Sequence, residues 1–177
     1  MAVASHSLWL VPERRGATFA QLRRLIESLA RRFDTDAFDP HVTLLGSFVG
    51  EDDALAERAQ ALAARLQRWE IVLGAVISCP SSPNRYQRLF AEVEPTEPLT
   101  QAHAAARALF GATAADTYAP HVSLAYADAT PAQFEALRRR AVRAGVAGTG
   151  FEVRALELWR TEGAVVEWRA AGWFPLR

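Results

Sequence analysis

The chain has 177 residues, half of them hydrophobic, so it can bury a core in one compact unit. Its twenty basic and twenty acidic side chains give a formal net charge of zero, which argues against a long polyanion held mainly by electrostatics but allows a small anionic ligand. The one cysteine, Cys79, excludes an internal disulfide, and four histidines are too few for an obvious metal cluster. The single cysteine favours a reducing, cytoplasmic setting, and no metal or other cofactor is expected. The sequence has no signal sequence and no apolar segment near the ~20 residues of a membrane span, so it predicts a soluble protein.

The first half of the chain is predicted to contain three strands separated by two helices. Thr18 and Gln21 have the spacing of a capping box, which predicts that a helix begins there. Apolar residues then recur at helical spacing, at Phe19, Leu22, Leu25, Ile26, Leu29 and Phe33. The predicted elements are a strand at 7–11, a helix from 18, a strand at 39–48, a helix at 51–68 and a strand at 70–77.

After the turn-forming segment 79–84, the same order of elements begins again. Thr130, Pro131 and Gln133 occupy the N-cap, first-turn and capping-box positions of the last predicted helix. Glu162 and Gly163 are typical turn residues for a hairpin near the end of the chain. The predicted elements are a strand at 88–93, a helix at 98–110, a strand at 119–127, a helix at 130–145 and hairpin strands at 151–159 and 165–173.

The two halves align at an offset of 80 residues. FDPHVTLL at 38–45 lies over YAPHVSLA at 118–125, and the match includes the rarer residue types, which indicates an internal duplication. The sequence therefore predicts a bilobal α+β fold whose lobes are related by a pseudo-two-fold axis, each a mainly antiparallel sheet with helices on its outer face. Within a single domain, repeat 1 falls at about 7–77, repeat 2 at about 86–160 and a terminal strand at about 164–174.

Strand periodicity puts His41 and Thr43 on one face of their strand, and His121 with Ser123 repeats the arrangement. If the pseudo-two-fold axis brings these faces together, one cleft between the lobes holds two imidazoles and two hydroxyls. One imidazole can take a proton from water while the other protonates the leaving alkoxide, and the hydroxyls can hold the non-bridging oxygens. Histidine suits both tasks because its unperturbed pKa is ~6.5. The pattern predicts phosphodiester hydrolysis without a metal and without a nucleophilic side chain.

Two H-x-[ST]-h motifs, in which h is apolar, are the signature of the two-histidine (2H) phosphoesterases, and the sequence resembles that family over nearly its whole length. The motifs are HVTL at 41–44 and HVSL at 121–124. SLWLVP at 7–12, the motif separation and PHVSLAYAD at 120–128 are similar to the cyclic phosphodiesterase branch known from plants and yeast. The resemblance implies a bilobal fold and hydrolysis of ADP-ribose 1″,2″-cyclic phosphate to the 1″-phosphate, with nucleoside 2′,3′-cyclic phosphates opened to 2′-phosphates.

The resemblance also implies roles for individual residues. His121 is the expected general base and His41 the expected general acid, with Thr43 and Ser123 as phosphate ligands. Tyr126 follows the second motif, where this branch has a tyrosine that borders the substrate. Its odd spacing from His121 would put it on the opposite face of an ideal strand, so it reaches the cleft only if the strand bends or ends there. The other implied substrate-binding residues are Ser7, Trp9 and Tyr86.

Other conspicuous residues have structural interpretations. The tryptophans of the terminal hairpin, Trp159, Trp168 and Trp173, are predicted to build the core. His6 and His103 repeat no motif and are predicted to be structural or exposed. The arginine run at 138–140 is interpreted as a solvated helix face.

Three functions remain open at this point. The preferred function is hydrolysis of a small-molecule cyclic phosphate, either a nucleotide or an ADP-ribose derivative. The protein is then expected to be a monomer without membrane contact. An enzyme that processes RNA ends with 2′,3′-cyclic phosphates, as in the related RNA-ligase-like branch, would need a basic groove, which the neutral composition does not suggest. A non-catalytic nucleotide-binding module would use the same cleft, but it would not require both histidines.

Overall fold

The computed structural model describes residues 5–112 and 117–177. Within these ranges the order strand, helix, strand, helix, strand occurs twice and is followed by two further strands. The helices are α1 (Ala17–Phe33), α2 (Asp52–Ala63), α3 (Glu97–Phe110) and α4 (Pro131–Arg143). The strands are β1 (Ser5–Leu10), β2 (Val42–Val49), β3 (Trp69–Ser78), β4 (Leu89–Val93), β5 (His121–Ser123), β6 (Gly150–Val153), β7 (Ala155–Arg160) and β8 (Arg169–Pro175). Short 3₁₀ turns occupy Arg85–Gln87 and Val165–Glu167.

The strands form one antiparallel sheet in the order β6-β3-β4-β5-β2-β1-β7-β8. This α+β arrangement differs from the predicted pair of separate sheets because the two histidine-bearing strands pair with each other, with Val42 opposite Val122. Four strands lie on each side of that contact. The third strand of the first half, β3, pairs with β4 of the second half, whereas β7 pairs with β1 of the first. The halves therefore complete each other's part of the sheet.

One face of the sheet is apolar and the other carries polar and aromatic side chains. The alternation follows from the two-residue period of a strand. The buried side chains of the apolar face belong to the main core cluster: Leu8, Leu10, Val42, Leu44, Leu89, Ala91, Val122, Leu156 and Leu158. Helices α2 and α3 contact each other and β2, β7 and β8, while α4 contacts β3 and β4. The opposite face is therefore the one on which a cleft can form.

A side-chain cap marks the start of α4 but not that of α1. At α4 the Thr130 side chain accepts the Gln133 backbone N–H, and the Gln133 side chain accepts the Thr130 N–H at 2.8 Å, which confirms the predicted capping box. The predicted capping box at Thr18 is wrong. Helix α1 begins at Ala17 after Gly16, and the Thr18 hydroxyl donates to the Gly150 carbonyl at 2.7 Å instead. This bond ties the first turn of α1 to β6.

Three further predictions, about element ends and the terminal hairpin, are also wrong. The predicted strand 151–159 divides at Arg154 into β6 and β7, because the two parts pair with different strands, β3 and β1. Helix α2 ends at Ala63, before the predicted end at 68. Trp173 is 62% exposed rather than in the core, since its neighbour Phe174 takes the inward position on β8 and is 8% exposed. In the described ranges, no helix has the length and apolarity needed to cross a membrane.

Candidate active site

One cavity of about 300 Å³ on the polar face of the sheet is lined by the two histidine motifs. The strand pairing explains this, because β2 and β5 are neighbours and carry the motifs side by side. All eight residues that the sequence suggests for a site contribute to its wall: Ser7, Trp9, His41, Thr43, Tyr86, His121, Ser123 and Tyr126. The sequence prediction that these side chains share a cleft therefore agrees with their positions, while the roles of the residues stay predictions.

The flanking strands place one aromatic ring beside each motif. Trp9 on β1 lies opposite Thr43, and Phe90 on β4 lies opposite Ser123. Tyr126 reaches the cavity because β5 ends at Ser123, so the chain leaves the strand before the alternation of faces would turn Tyr126 away. Its ring stacks on Phe38 with a centroid distance of 3.9 Å.

Both imidazoles are held in the same tautomer. His41 Nδ1 is 2.6 Å from the Asp39 carbonyl oxygen, and His121 Nδ1 is 2.8 Å from the Ala119 carbonyl oxygen. A carbonyl oxygen only accepts, so Nδ1 carries the proton in each ring. The other ring nitrogen, Nε2, is then an acceptor when the ring is neutral and a donor when it is charged. Two such rings in one cavity can exchange protons with a ligand at both sites.

The two histidines differ in their surroundings. Burial lowers the pKa of His41 to about 4, and the charge of His121 acts in the same direction while the Asp39 carbonyl opposes both. Burial also lowers the pKa of His121, which is only half-buried, and the Ala119 carbonyl opposes it. In the ligand-free site at neutral pH both rings are therefore mainly neutral. One of them must gain a proton before it can act as an acid.

The hydroxyls of the site are not equivalent. Ser123 Oγ donates to the Tyr86 carbonyl oxygen at 2.7 Å, and Ser7 Oγ lies 3.1 Å from the Thr161 hydroxyl. The Thr43 hydroxyl makes no hydrogen bond within the described part of the chain. Burial raises the pKa of the Tyr126 phenol, with a hydrogen bond to Ser123 opposing the rise, so this group stays protonated and can only donate near neutral pH. Thr43 is thus the hydroxyl that is ready for a ligand, whereas Ser123 must turn away from Tyr86.

An aromatic wall borders the cavity, and sequence reasoning missed one of its members. Trp168 lines the cavity, with its ring centroid 5.9 Å from Trp9, 5.9 Å from Tyr86 and 6.0 Å from Tyr126. Trp168 is half-buried and also packs against the small buried cluster of Ile26, Phe38 and Tyr126, so its predicted place in the core is confirmed only in part, and its place in the cavity wall was not predicted. Trp168 follows the 3₁₀ turn Val165–Glu167, so strand periodicity cannot predict which way its side chain points. Trp159 is half-buried and stacks on the cleft residue Trp9 at 4.2 Å rather than packing in the apolar core.

The two remaining histidines have structural contacts. His6 is fully buried and its Nε2 lies 2.9 Å from Asp52 Oδ1. His103 donates from Nδ1 to the Leu44 carbonyl oxygen at 2.7 Å and stacks on Tyr118 with ring centroids 3.8 Å apart. It therefore contacts β2 at the end of the first motif. These contacts agree with the prediction that both residues are structural or exposed, and their roles stay predictions. Among residues 5–112 and 117–177, no group of three or more His, Cys, Asp or Glu side chains is arranged to hold a metal ion.

Comparisons with known proteins agree with this geometry. The profile of the 2′-5′ RNA ligase superfamily matches residues 11–164. A 2′,3′-cyclic-nucleotide 3′-phosphodiesterase from Yarrowia lipolytica is 28% identical, and the alignment covers 94% of this chain and 97% of that protein. The solved structure of TT0787 from Thermus thermophilus superposes with a TM-score of 0.70 at 17% identity, over 98% of both chains. LigT from E. coli in complex with 3′-AMP superposes with a TM-score of 0.60 at 15% identity, over 99% of this chain and 97% of that one. At these identities the solved structures show a shared fold.

Proposed function

The chain belongs to the 2′-5′ RNA ligase superfamily, and we propose that it is a metal-independent cyclic phosphodiesterase. Its substrates are ADP-ribose 1″,2″-cyclic phosphate, nucleoside 2′,3′-cyclic phosphates, or both. One observation carries this proposal: two imidazoles with protonated Nδ1 and two hydroxyls line a single cavity. That set supplies a proton acceptor, a proton donor and phosphate ligands without a metal.

In the proposed reaction a water molecule attacks the phosphorus of the cyclic phosphate. Nε2 of His121 accepts a proton from the water, the bond to one ring oxygen breaks, and Nε2 of His41 donates a proton to that oxygen. Thr43 and Ser123 donate to the non-bridging oxygens, which requires the Ser123 hydroxyl hydrogen to leave the Tyr86 carbonyl. The product is a phosphomonoester on the adjacent hydroxyl of the same ribose.

Two opposing effects determine whether the His41 ring is protonated, as an acid must be. In the empty cavity its pKa of about 4 favours a neutral ring, which would suit a base. The electron-rich face of Trp9 favours the imidazolium with or without a ligand, and a bound phosphate anion adds to this effect when substrate is present. We therefore keep His41 as the acid and His121 as the base, and the leaving-group experiment described in the Discussion decides between this assignment and its reverse.

The aromatic wall supports a nucleotide-type substrate. Tyr86, which is 40% exposed, and the half-buried Trp168 offer ring surface to a ligand in this cavity, and aromatic side chains bind bases or sugars by stacking. Trp9 and Tyr126 are 2% and 4% exposed and already stack on His41 and Phe38, so they border the cavity without offering a free ring face. The Yarrowia relative is named for 2′,3′-cyclic nucleotides, and E. coli LigT was crystallised with 3′-AMP. The name of that relative specifies cleavage of the 3′ bond, which leaves a 2′-phosphate. The same product is expected here.

The proposal includes an organisation in two duplicated halves related by a pseudo-two-fold axis. The repeated order of elements and the equal number of strands on either side of the β5–β2 contact support it. We further propose that the protein is a cytoplasmic monomer that acts on a small molecule rather than on a membrane. Size-exclusion chromatography with light scattering tests the monomer.

The function is tested by incubating the protein in EDTA with three substrates: 2′,3′-cyclic AMP, ADP-ribose 1″,2″-cyclic phosphate and an oligoribonucleotide that ends in a 2′,3′-cyclic phosphate. The double variant His41→Ala/His121→Ala is the inactive control. We expect turnover of a small substrate, with the 2′-phosphate as the product from cyclic AMP. Strong preference for the oligonucleotide would instead indicate an RNA-end-processing enzyme, and binding without turnover would indicate a nucleotide-binding module. Activity that EDTA abolished and one divalent ion restored would contradict the mechanism.

A further inference from the structure

Arg14, in the loop between β1 and α1, contacts two carboxylates that are far apart in the sequence. Its Nη1 donates to Asp39 Oδ2 and its Nη2 donates to Glu157 Oε2, the latter at 2.8 Å. We propose that Arg14 is a positioning residue for His41, because it joins the two structural supports between which the imidazole is held. The predicted effect on catalysis rests on the proposed function, whereas the predicted effect on the imidazole does not.

The first support is the segment that ends at His41. Residues 35–41 lie outside any helix or strand, so no ladder of backbone hydrogen bonds fixes the Asp39 carbonyl that accepts the His41 Nδ1 proton. The Asp39 side chain fixes it instead. Its carboxylate binds Arg14 through Oδ2 and Arg23 Nη1 through Oδ1 at 3.0 Å. Losing one of these arginines would free the carbonyl to move and the ring to rotate with it.

The second support is a row of stacked rings. Glu157 is 7% exposed, and its Oε2 accepts from Trp159 Nε1 at 2.8 Å as well as from Arg14. The Trp159 ring stacks on Trp9 with centroids 4.2 Å apart, and Trp9 stacks on His41 with centroids 3.5 Å apart. The Glu157 carboxylate therefore sets the position of the rings that cover one face of the imidazole. Arg14 links the two supports, since it donates to this carboxylate and to that of Asp39 in the segment that ends at His41.

The second motif lacks this arrangement. In the alignment of the two halves, Asp39 corresponds to Ala119, whose methyl group has no carboxylate for an arginine to bind. Phe90 meets the His121 ring at a tilt of 58° and a centroid distance of 5.1 Å rather than stacking flat on it. The two motifs have diverged at the residue that Arg14 uses. The arrangement therefore positions one histidine selectively, and His121 serves as an internal control.

The Arg14 side chain is 45% exposed, whereas the side chains of its partners Asp39 and Glu157 are only 21% and 9% exposed, so removing Arg14 lowers the stability as well as disturbing the geometry. The tautomer and kcat of the folded variant separate the two effects. The planar guanidinium can bind two carboxylates with two separate nitrogens, which the single ammonium of lysine cannot reproduce with the same directions. Arg14→Lys should therefore keep the charge but lose part of the positioning.

The experiment compares the parent protein with Arg14→Ala, Arg14→Lys and Arg138→Ala. Arg138 is a matched control because it pairs with Glu135 on the surface of α4, away from the cavity. Nitrogen chemical shifts of the histidine rings report the tautomer without substrate, and kinetics with 2′,3′-cyclic AMP give kcat and KM. For Arg14→Ala we expect a mixture of tautomers at His41 but not at His121, and a fall in kcat of roughly 10- to 100-fold with KM changed by less than about threefold. The kcat and the His41 tautomer mixture of Arg14→Lys should lie between those of Arg14→Ala and the parent.

Unchanged His41 tautomer and kcat in folded Arg14→Ala, in a parent that is active, would overturn the positioning role. If Arg14→Ala does not fold, Glu157→Gln takes its place, because the amide oxygen still accepts from Trp159 but no longer carries a charge for Arg14. A kcat loss in Glu157→Gln with a disturbed His41 tautomer supports the proposal, and parent-like values overturn it. A parent without any activity would contradict the proposed function, while the tautomers would still decide whether Arg14 positions the ring.

Discussion

The imidazole of His41 lies flat against the indole of Trp9, with ring centroids 3.5 Å apart and ring planes 6° apart. The contact covers one face of the histidine, and the residue as a whole is 6% exposed. Burial of this kind penalises the charged ring, whereas the π face of the indole favours it. The charge state of His41 is therefore set by opposing effects, and a ligand in the cavity can change the balance.

The first prediction concerns stability and pH. The pKa of His41 is about 4 in the folded protein, below a histidine's ordinary value of about 6.5, because burial disfavours the charged ring. Above pH 6.5 the ring is neutral in both the folded and unfolded states, so the full stability is present. As the pH falls from 6.5 to 4 the unfolded state gains a proton first, and the free energy of unfolding should fall by at most roughly 3 kcal/mol.

Urea unfolding at pH 7 and pH 4.5 measures this loss in the parent and in His41→Leu, which cannot titrate at this position. The parent should lose more stability than the variant over that interval. His121 contributes a loss of the same sign, because burial also lowers its pKa, and it is present in both proteins. Equal losses in the two proteins would show that the His41 ring titrates normally when folded.

The second prediction is that an anion in the cavity raises the pKa of both imidazoles that line it, those of His41 and His121. A negative charge near a histidine stabilises the protonated ring, and it would act against the burial that lowers the pKa of each. Sulfate is the probe, because its charge stays constant between pH 5 and 8. Histidine resonances followed by NMR should titrate at higher pH with sulfate than with chloride at equal ionic strength. His6, which is fully buried and does not line this cavity, is the control.

The third prediction separates the acid from the base. His41→Ala and His121→Ala should each lower kcat by ~10²–10⁴-fold on 2′,3′-cyclic AMP while ligand binding survives, and the double variant should be little worse than either single one. A p-nitrophenyl phosphodiester has a leaving group that departs without a proton. With that substrate His41→Ala should regain most of its lost activity, and His121→Ala should not. The opposite result would reverse the assignment of the two roles, and parent-like turnover by both variants would refute acid–base catalysis by the motifs.

The fourth prediction distinguishes the two hydroxyls. Thr43→Ala and Ser123→Ala should each lower kcat/KM by the equivalent of roughly 1–3 kcal/mol and weaken ligand binding. Thr43→Ala should have the larger effect, because the Ser123 hydroxyl must give up its bond to Tyr86 before it can help. Thr43→Ser and Ser123→Thr, which keep a hydroxyl, should restore most of the activity. Kinetics and sulfate binding by calorimetry measure both effects, and a larger loss in Ser123→Ala would contradict the order.

The face of the sheet that carries the cavity could be predicted from the sequence where local patterns determine it. The strand period placed Thr43 and Ser123 on the same side as their histidines, and the matched motifs predicted that they would meet. Trp168 could not be placed in this way, because it follows an irregular turn whose direction depends on contacts with Trp9 and Tyr126. The sequence suggests which elements exist, whereas the irregular segments depend on tertiary packing.

The pairing of strands was harder to predict than their existence. The duplicated pattern suggested that each half would form its own sheet, but nothing local indicates that β3 and β7 cross to the other half. Likewise, the contacts of Arg14 with Asp39 and Glu157 join residues 25 and 143 positions apart. Such partners become visible only when the fold brings them together.

The pairing of β1 with β7 has a consequence for protein synthesis. Leu8 on β1 pairs with Leu158 on β7, so another 150 residues must be synthesised after Leu8 before this edge of β1 can form its hydrogen bonds. At ~5–20 residues per second this interval lasts roughly 8–30 s. During that time β2 can cover one side of β1, but the other side presents open hydrogen-bonding groups, which is the usual starting point for wrong pairing between nascent chains. Trp159 lies on the same late strand, so the ring stack on His41 becomes complete only after the first 159 residues have been synthesised.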